Sequence, residues 1–444
     1  MVQKPRSSEH LGALMSTGAV VGAEDPPRPR TSDSNASVLS LFTGAGGLDL
    51  GLEAAGFKTM LCVENDKTAR ETLRLNRPAW TLAETGDVNE AVPSRLLEEA
   101  GLRRGQVAML AGGPPCQPFS KSGYWNTGDA RRLADPRAKT LYAYLAVVRA
   151  ALPQVLLLEN VKGLAYTGKD EGLRLLKDEL AEINRACRTS YAPQVITLNA
   201  ADFGVPQFRE RVFVVASIDG RQIQVPGATH GGGPGVEPYL TAWDAIGEFD
   251  GEEWDPELNP TGFWGELLPS IPEGHNYQWH TPRNGENGGE PLFGWRTKFW
   301  SFLLKLAKSQ PSWTLQAAPG PATGPFHWRS RLLSVKEMAR LQTFPDGYRF
   351  SGNLRAARRQ VGNAVPSALA EFLGLEIRSQ LFNADVSRAL GLLPLRRTDC
   401  APPISVAPVP CKYHHLRARH DDHPGTGLGP AAATRNDAAI RLLA

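Results

Sequence analysis

The chain has 444 residues, of which 41% are hydrophobic and 21% are charged, a composition that excludes fibrous and wholly disordered proteins and leaves room for two domains. Its formal net charge is only +3, so a nucleic-acid partner would have to be bound by a local basic surface. The five cysteines form no Cys-x-x-Cys pair, which argues against a disulfide framework or a zinc ribbon and is typical of a reducing compartment. No apolar run is long enough to span a membrane.

The first 36 residues are rich in Ser, Pro, Arg and Gly and predict a disordered leader. Order is predicted to begin with a strand at 38–42, followed by the glycine-rich turn 43–47 and a helix that ends at Gly56. Such a turn lets a nucleotide-like ligand lie against bare backbone at the amino end of the helix, although a plain strand-to-helix turn fits the pattern equally well.

Two acidic residues follow the next predicted strand ends. Glu64 follows the strand 59–63, where a carboxylate could accept both hydroxyl groups of a ribose, and Asp87 ends a third unit. Together with the glycine turn they predict a site for an adenosine-bearing cofactor. Asp49 stands where the third glycine of the dinucleotide fingerprint would fall, so the pattern favours S-adenosylmethionine over NAD.

Cys116 lies in the segment 112–120, GGPPCQPFS, which follows the apolar run 107–111. That run is typical of a buried strand, so the cysteine is predicted on a loop at the carboxyl end of a strand. Three prolines hold such a loop extended. Cys116 is therefore a candidate nucleophile, and the alternative for any single cysteine is a small buried hydrophobic residue near a turn.

Glu159 follows a second apolar run, 154–158, which itself follows a predicted helix at 139–151. It is therefore expected at the same rim of the sheet as Cys116, although a helix cap or a solvated loop charge are alternatives for an isolated glutamate.

Two further strands are predicted at 194–198 and 211–217, paired with each other. Between them, alternation within Gln207–Arg211 predicts Gln207, Arg209 and Arg211 on one face and Phe208 in the core. The arginines could form a solvated strand edge, or they could bind a phosphate or the edge of a base.

These segments together resemble the cytosine-C5 DNA methyltransferase family. Their order and spacing agree with that family from about residue 37 to 380, so the resemblance covers most of the chain. The matching segments are Leu41–Asp49 (LFTGAGGLD), Glu64, Gly86–Val88 (GDV), Pro114–Ser120 (PPCQPFS), Glu159–Val161 (ENV), Gln207–Arg211 (QFRER), Arg331–Asp346 (RLLSVKEMARLQTFPD) and Gln360–Pro366 (QVGNAVP). The sequence departs from the family's usual pattern at Asn65, where many members have an aromatic residue, and in 135–141.

The resemblance implies a role for each matching position. Cys116 would be the nucleophile, Glu159 would hold N3 and the exocyclic amine of cytosine, and Arg209 and Arg211 would brace the base and the catalytic loop. The cofactor would be S-adenosyl-L-methionine. Its expected contacts are Phe42 against the adenine, Glu64 on the ribose, Asp87 and Val88 at the adenine edge, the turn residues Gly44, Gly46, Gly47 and Leu48, Pro115 beside the nucleophile, and Asn363 and Ala364 closing the pocket.

The implied fold is α/β, a Rossmann-like methyltransferase domain with a smaller inserted target-recognition domain. The predicted boundaries are a leader at 1–36, a catalytic part at 37–217, the target-recognition domain at 218–328, a returning catalytic segment at 329–380 and a flexible tail at 381–444. The implied reaction is methylation of cytosine C5 in a specific double-stranded DNA sequence, through base flipping and a covalent Cys–C6 adduct.

The expected setting is a prokaryotic cytoplasm, where a monomeric enzyme acts on nucleoid DNA as the modification partner of a restriction endonuclease. An RNA cytosine-C5 methyltransferase and a noncatalytic DNA-binding regulator are the alternatives. In the recognition interval, the mixture of Trp295, Arg296, Lys298, Trp300, Trp313, His327, Trp328, Arg329 and Arg331 predicts a groove-reading surface, with a small tryptophan core as the alternative. A metal site at Cys400, Cys411, His414 and His415 is disfavoured by their spacing, and no metal is expected.

Overall fold

Within the described residues, a seven-stranded β-sheet forms the centre of the protein. The computed structural model describes residues 36–114, 139–160, 171–283, 288–296 and 299–418. The strands are β1 (Ser37–Leu41), β2 (Lys58–Val63), β3 (Thr81–Leu82), β4 (Met109–Gly112), β5 (Val155–Asn160), β6 (Gln194–Asn199), β7 (Gln207–Phe208), which pairs outside this sheet, and β8 (Glu210–Ser217). The six strands predicted from the sequence are confirmed to within two residues at each end.

The strand order is β3-β2-β1-β4-β5-β8-β6. Strands β3, β2, β1, β4 and β5 are parallel, and β8 runs antiparallel to both β5 and β6. The chain leaves β1 towards β2 on one side and later returns to β4 on the other, so the direction of winding reverses between β1 and β4. In open α/β sheets, ligands bind outside the carboxyl ends of the strands at such a reversal.

Helices cover both faces of the sheet, because its strands are apolar on both sides. Val38 of β1 packs with helices on one face, while Leu39 and Leu41 pack with helices on the other. The first face carries α1 (Gly47–Ala54), and the second carries α3 (Pro93–Glu99), α4 (Lys139–Ala151) and α5 (Glu171–Cys187). Helix α2 (Lys67–Asn76) follows β2. None of the helices in the described part of the chain is long and apolar enough to cross a membrane.

The carboxyl-terminal helices return to the sheet, and the last of them packs on α1. These carboxyl-terminal helices are α7 (Val335–Leu341), α8 (Leu354–Asn363) and α9 (Ser367–Leu381). A short helix, α6 (Ala242–Ile246), precedes them in the chain. Helix α7 begins at a capping box formed by Ser334 and Glu337. A Cβ atom on Gly51 of α1 would lie 2.2 Å from the Ser367 carbonyl oxygen, so only glycine permits this approach of α1 to α9. The returning segment therefore lies against the first helix of the fold.

The interval 218–328 has short helical turns and its own apolar core, which includes Leu267, Tyr277 and Phe326. Its strand β9 (Ser312–Trp313) pairs in parallel with β7, and this pairing joins the interval to the segment that leads into β8. The predicted groove-reading surface is partly wrong, because His327 and Trp328 are 0% exposed. Trp328 is part of a buried core, which was the alternative interpretation of the tryptophans in this interval.

Residues 381–418, predicted as part of a flexible tail, lie against the body of the protein. Glu371 of α9 accepts hydrogen bonds from the backbone amides of Gly391 and Leu392 at 2.8 and 3.0 Å. Further on, Tyr413 is buried and its ring stacks on Trp264, with centroids 5.9 Å apart. These contacts join the segment to the catalytic part and to the interval 218–328. No periodic pattern in the sequence predicts these contacts, because the segment forms almost no regular secondary structure.

No group of three or more His, Cys, Asp or Glu side chains that could hold a metal ion occurs among the residues that the structure describes. The ring nitrogens of His414 and His415 lie near the backbone carbonyls of Val409 and Lys412 instead, at 3.2 and 2.7 Å. The predicted leader up to residue 35 and the end of the tail, 419–444, lie outside the described residues.

Replacing Tyr413 with Ala should lower the free energy of unfolding by about 3 kcal/mol, because it removes a buried aromatic side chain and leaves a cavity. Chemical denaturation of the purified protein measures this. Leu395→Ala is the matched control, since Leu395 lies in the same segment but is 87% exposed, and it should change the value by less than about 0.5 kcal/mol. Equal stability of the two variants would show that the segment contributes nothing.

Candidate active site

A cavity of about 380 Å³ opens at the carboxyl ends of β1, β2, β4 and β5. It lies at the reversal between β1 and β4, where the topology places a ligand site. Most of the site residues predicted from the sequence line it. Among them are Phe42, Gly44, Gly47, Leu48, Glu64, Asp87, Val88, Glu159, Arg211, Asn363 and Ala364. Cys116 and Pro115 lie outside the described residues, but the chain enters that loop from Pro114, which lines the same cavity.

Glu64 holds the glycine turn in position. Its carboxylate accepts hydrogen bonds from the backbone amides of Gly44 and Asp66, each at 2.7 Å. Burial raises the pKa of Glu64, and the two amide hydrogen bonds oppose that rise. Gly44 has a φ of 59° and nothing within 4 Å of the position of a Cβ atom, so bare backbone faces open space there. A flat, nucleotide-like ligand can therefore approach the bare backbone of the turn, as the sequence predicts.

Gly46 and Gly47 serve packing more directly than ligand contact. Gly46 has a φ of 82°, and a Cβ atom there would lie 3.1 to 3.3 Å from the side chains of Leu73, Trp80 and Tyr348. It does not line the cavity, in contrast to the sequence prediction, because its Cα faces helix α2 and the returning segment. At Gly47, which does line the cavity, a Cβ atom would lie 2.5 Å from the Val365 carbonyl oxygen.

The far wall of the cavity comes from the returning segment. Asn363 ends α8 and Ala364 follows it, so the chain brings both residues to the glycine turn from more than 300 positions away in the sequence. On another side, Asp87 accepts hydrogen bonds from the backbone and side-chain nitrogens of Asn89 at 2.9 and 2.8 Å, which fixes the turn after Gly86. These segments, far apart in the sequence, therefore line one cavity.

Glu159 and Arg211 form a nearly buried ion pair at the rim of the cavity. Their side chains are 13% and 11% exposed, and Arg211 Nε lies 2.9 Å from Glu159 Oε1. Strands β5 and β8 are antiparallel neighbours in which Glu159 lies opposite Phe213, so Arg211, two residues from Phe213 in the chain, reaches Glu159 diagonally. A Cβ atom on Gly113 would lie 2.9 Å from Glu159 Oε2, so glycine leaves room for the carboxylate beside the loop that leads to Cys116. Burial raises the pKa of Glu159, while the charges of Arg211 and Arg209 oppose the rise.

Arg209 lies beneath this pair rather than in the cavity. Its side chain is buried, and its guanidinium donates to the carbonyl oxygens of Leu315, Gly362 and Ala364 at 3.1, 2.7 and 3.0 Å. The prediction that Arg209 braces the base directly is replaced by an indirect role, since it holds the segments that form the cavity wall. Phe208 is not in the core as predicted, because the alternation places Gln207 and Arg209 on the buried face, and half-buried Phe208 on the other face contacts Tyr239 and Trp313.

Three residues that sequence reasoning missed also belong to the site. Asp49 lines the cavity, and burial raises its pKa to about 7 against the opposing effect of the Ser40 hydroxyl. Arg359, at the cavity rim, forms an ion pair with Asp66 at 2.5 Å. Asn160 donates from Nδ2 to the Pro114 carbonyl at 3.3 Å and so fixes the start of the nucleophile loop. For Asn160 the signal was its place in the Glu159–Val161 motif.

Comparison with known proteins gives a family match over most of the chain. A model of the family described as C-5 cytosine-specific DNA methylase matches residues 36–379. The Type II methyltransferase M.SacI of Streptomyces achromogenes is 37% identical over 78% of this chain and 93% of its own length. The Type II methyltransferase M.Eco47II of Escherichia coli is 31% identical over 79% of this chain and 81% of its own.

Solved structures agree on the fold. The methyltransferase EhMeth of Entamoeba histolytica superposes with a TM-score of 0.51 at 15% identity, covering 79% of this chain and 98% of its own. A DNMT2 mutant of Spodoptera frugiperda gives 0.51 at 16% identity, covering 78% and 99%. The predicted Rossmann-like α/β methyltransferase fold is thereby confirmed.

The free energy of unfolding of Glu159→Gln, relative to that of the wild type, should increase as pH rises above 4.5, the ordinary pKa of a glutamate. The folded state binds the Glu159 proton more tightly than the unfolded state does, so the wild type loses stability as pH rises through the raised pKa, whereas the amide does not titrate. Each unit of pKa shift corresponds to about 1.4 kcal/mol. Denaturant unfolding of both proteins between pH 4 and pH 9 measures the difference, and a constant difference would contradict the raised pKa.

Proposed function

The chain belongs to the C-5 cytosine-specific DNA methylase family, and we propose that Cys116, Glu159 and Arg211 act together on a cytosine held at the rim of its cavity. The protein is a DNA (cytosine-5) methyltransferase whose cofactor is S-adenosylmethionine. The observation that carries the assignment of residues is the Glu159–Arg211 pair, which lies beside the entrance to the Cys116 loop and lines the same cavity as the glycine turn.

The residues around the cavity suit an adenosine-bearing cofactor. Gly44 presents open backbone, and Glu64 presents a carboxylate already oriented by two amides. In this proposal Glu64 receives the ribose hydroxyls, Asp87 and Val88 meet the adenine edge, Phe42 packs on its ring and Asn363 with Ala364 closes the pocket. When bound, S-adenosylmethionine supplies an electrophilic methyl group on a sulfonium sulfur.

The reaction of the cytosine follows from the chemistry of its ring. C5 is a poor nucleophile until a thiolate adds to C6, because that addition moves an electron pair towards N3 and makes C5 part of an enamine. Glu159 donates a proton at N3 and so neutralises the charge that develops there. Arg211 holds the Glu159 carboxyl in place. After the methyl group is on C5, loss of the C5 proton and breaking of the Cys116–C6 bond restore the free thiolate.

The substrate must reach this site from inside a helix. A cytosine stacked in duplex DNA cannot be approached at C6 by a thiolate, so the base is flipped into the cavity. We propose that residues 218–328 select the DNA sequence, and that the enzyme is the monomeric modification partner of a restriction endonuclease in a bacterial cytoplasm. The names of its relatives, Type II methyltransferases, support this setting.

Cys116→Ser should reduce methyl transfer at least about 1,000-fold, because a hydroxyl is far less ionised than a thiol and adds poorly to C6. Incorporation of labelled methyl groups into unmethylated plasmid DNA measures the rate, and bisulfite sequencing of DNA from expressing cells shows which base carries the product. Cys400→Ser is the matched control, since that cysteine is free and exposed, and it should keep wild-type activity. Full activity of Cys116→Ser would contradict the covalent mechanism.

Glu64→Ala should weaken cofactor binding by about 1.5 to 3 kcal/mol and leave DNA affinity nearly unchanged, because the ribose hydroxyls lose a charged acceptor and the glycine turn loses its support. Isothermal titration with S-adenosylmethionine gives the affinity. Glu64→Gln keeps one oxygen acceptor and should be affected less, while Glu84→Ala removes an exposed carboxylate outside the cavity and should have no effect. Unchanged affinity in Glu64→Ala would refute the assignment.

A further inference from the structure

The cavity has an acidic lining, which suits only part of the cofactor. Among the described residues that line it, five are acidic and two are basic. They are Asp49, Glu64, Asp66, Asp87 and Glu159 against Arg211 and Arg359. The sulfonium and ammonium groups of S-adenosylmethionine are cationic and fit such a lining, whereas its carboxylate is an anion. A carboxylate among acidic groups is destabilised unless a cation contacts it, so the methionine end of the cofactor requires one of the two arginines.

The two arginines differ in how firmly they are held. The Arg211 side chain is 11% exposed and is paired with Glu159, which is itself nearly buried. Removing Arg211 from that pair would leave a buried carboxylate without its partner, which is strongly destabilising. The Arg359 side chain is 50% exposed. Of the two arginines in the described cavity lining, Arg359 is therefore the one that can turn towards a ligand without breaking a buried pair.

Arg359 lines the cavity from helix α8, one turn before the end of that helix. It lies four residues before Asn363, so the two residues share one face of α8, and both line the cavity. Between them in the chain, Gln360 accepts a hydrogen bond from the Thr72 hydroxyl at 2.6 Å, in a buried contact that fixes α8 against α2. The helix backbone is thus held in place, while the side chain of Arg359 remains at the cavity rim.

The ion pair between Arg359 and Asp66 is one that can exchange partners. Arg359 Nη2 lies 2.5 Å from Asp66 Oδ2, and the two side chains are 50% and 33% exposed, so the pair contributes little to stability. The other oxygen, Asp66 Oδ1, accepts hydrogen bonds from the amides of Thr68 and Ala69 at 2.9 and 3.0 Å and caps α2. Asp66 is therefore held by the helix cap when Arg359 turns to another acceptor.

We propose that Arg359 binds the carboxylate of S-adenosylmethionine and that Asp66 is its partner in the free protein. The proposal rests on the function proposed above, which supplies the cofactor. The amide of Asp66 donates to Glu64, the proposed ribose acceptor, at 2.7 Å, so Arg359 lies beside the part of the cofactor from which the methionine chain extends. Its planar guanidinium presents parallel N–H groups that match the two oxygens of a carboxylate.

The test is isothermal titration with S-adenosylmethionine and with decarboxylated S-adenosylmethionine, which lacks only the carboxylate. Arg359→Ala should bind S-adenosylmethionine about 10-fold more weakly than the wild type does, because a charge-assisted hydrogen bond is lost. Its affinity for the decarboxylated analogue should equal that of the wild type, which also shows that the variant is folded. Arg359→Lys keeps the charge without the planar fork and should recover part of the loss.

Two further variants separate this contact from a structural role. Arg355→Ala is the matched control, since Arg355 is an exposed arginine one turn earlier in α8 and is not among the described residues that line the cavity. It should bind both ligands as the wild type does. Asp66→Asn keeps a side chain that caps α2 but removes the charge that competes for Arg359. Its affinity for S-adenosylmethionine should rise about 2- to 5-fold.

Three results would overturn the proposal. The first is an unchanged affinity of Arg359→Ala for S-adenosylmethionine. The second is an equal loss of affinity for both ligands in Arg359→Ala and in Asp66→Asn, which would show that the ion pair only supports the cavity wall. The third is a wild type that binds the two ligands equally well, since the carboxylate would then have no partner in the cavity. A wild type that binds neither ligand would instead refute the cofactor site on which the proposed function depends.

Discussion

The buried guanidinium of Arg209 joins segments that lie far apart in the chain. It donates to the carbonyl oxygens of Leu315, Gly362 and Ala364, and transferring such a charge from water costs several kcal/mol unless these acceptors are in place. The ion is therefore stable only when the interval 218–328 and the returning segment are both assembled on β8. Ala364 closes the cavity, and Arg211 follows two residues after Arg209. One buried ion thus fixes a wall of the cavity and the position of the group that contacts Glu159.

Opposing electrostatic effects set the properties of Glu159. Burial alone would raise its pKa and keep the carboxyl neutral, whereas the Arg211 charge alone would hold it as a carboxylate with no proton to give. A group that donates a proton and later recovers it works best between these limits. Arg209 and Arg211 therefore have complementary tasks, since the first is committed to backbone carbonyls and acts on Glu159 only through its charge, while the second contacts it directly.

Sequence patterns predicted the parallel strands and the residues at their carboxyl ends, because each of those features depends on local order along the chain. Glu64, Asp87 and Glu159 were found in this way. Arg209 was misjudged because its acceptors come from positions more than 100 residues away, which no local pattern reveals. Phe208 was misplaced because the alternation holds but the face that carries Gln207 and Arg209 is the buried one, against the usual preference for an apolar side chain inside. Residues 381–418 were misread because their contacts are backbone hydrogen bonds and single aromatic anchors such as Tyr413, without periodicity.

The same difference explains why the interval 218–328 carries so few recognisable motifs. It is held at individual points, such as the buried pair of Lys308 with Glu273 at 2.5 Å and the hydrogen bond that Trp328 Nε1 donates to Asp250 at 2.6 Å. Such contacts hold the backbone of the interval at a few points, and the fold does not depend on the surface residues between them. Exposed residues between these anchors can therefore change without disturbing the cavity, because they take no part in the anchoring contacts. The chemistry at the cavity and the selection of DNA sequence that we propose for this interval would then be separable in one chain.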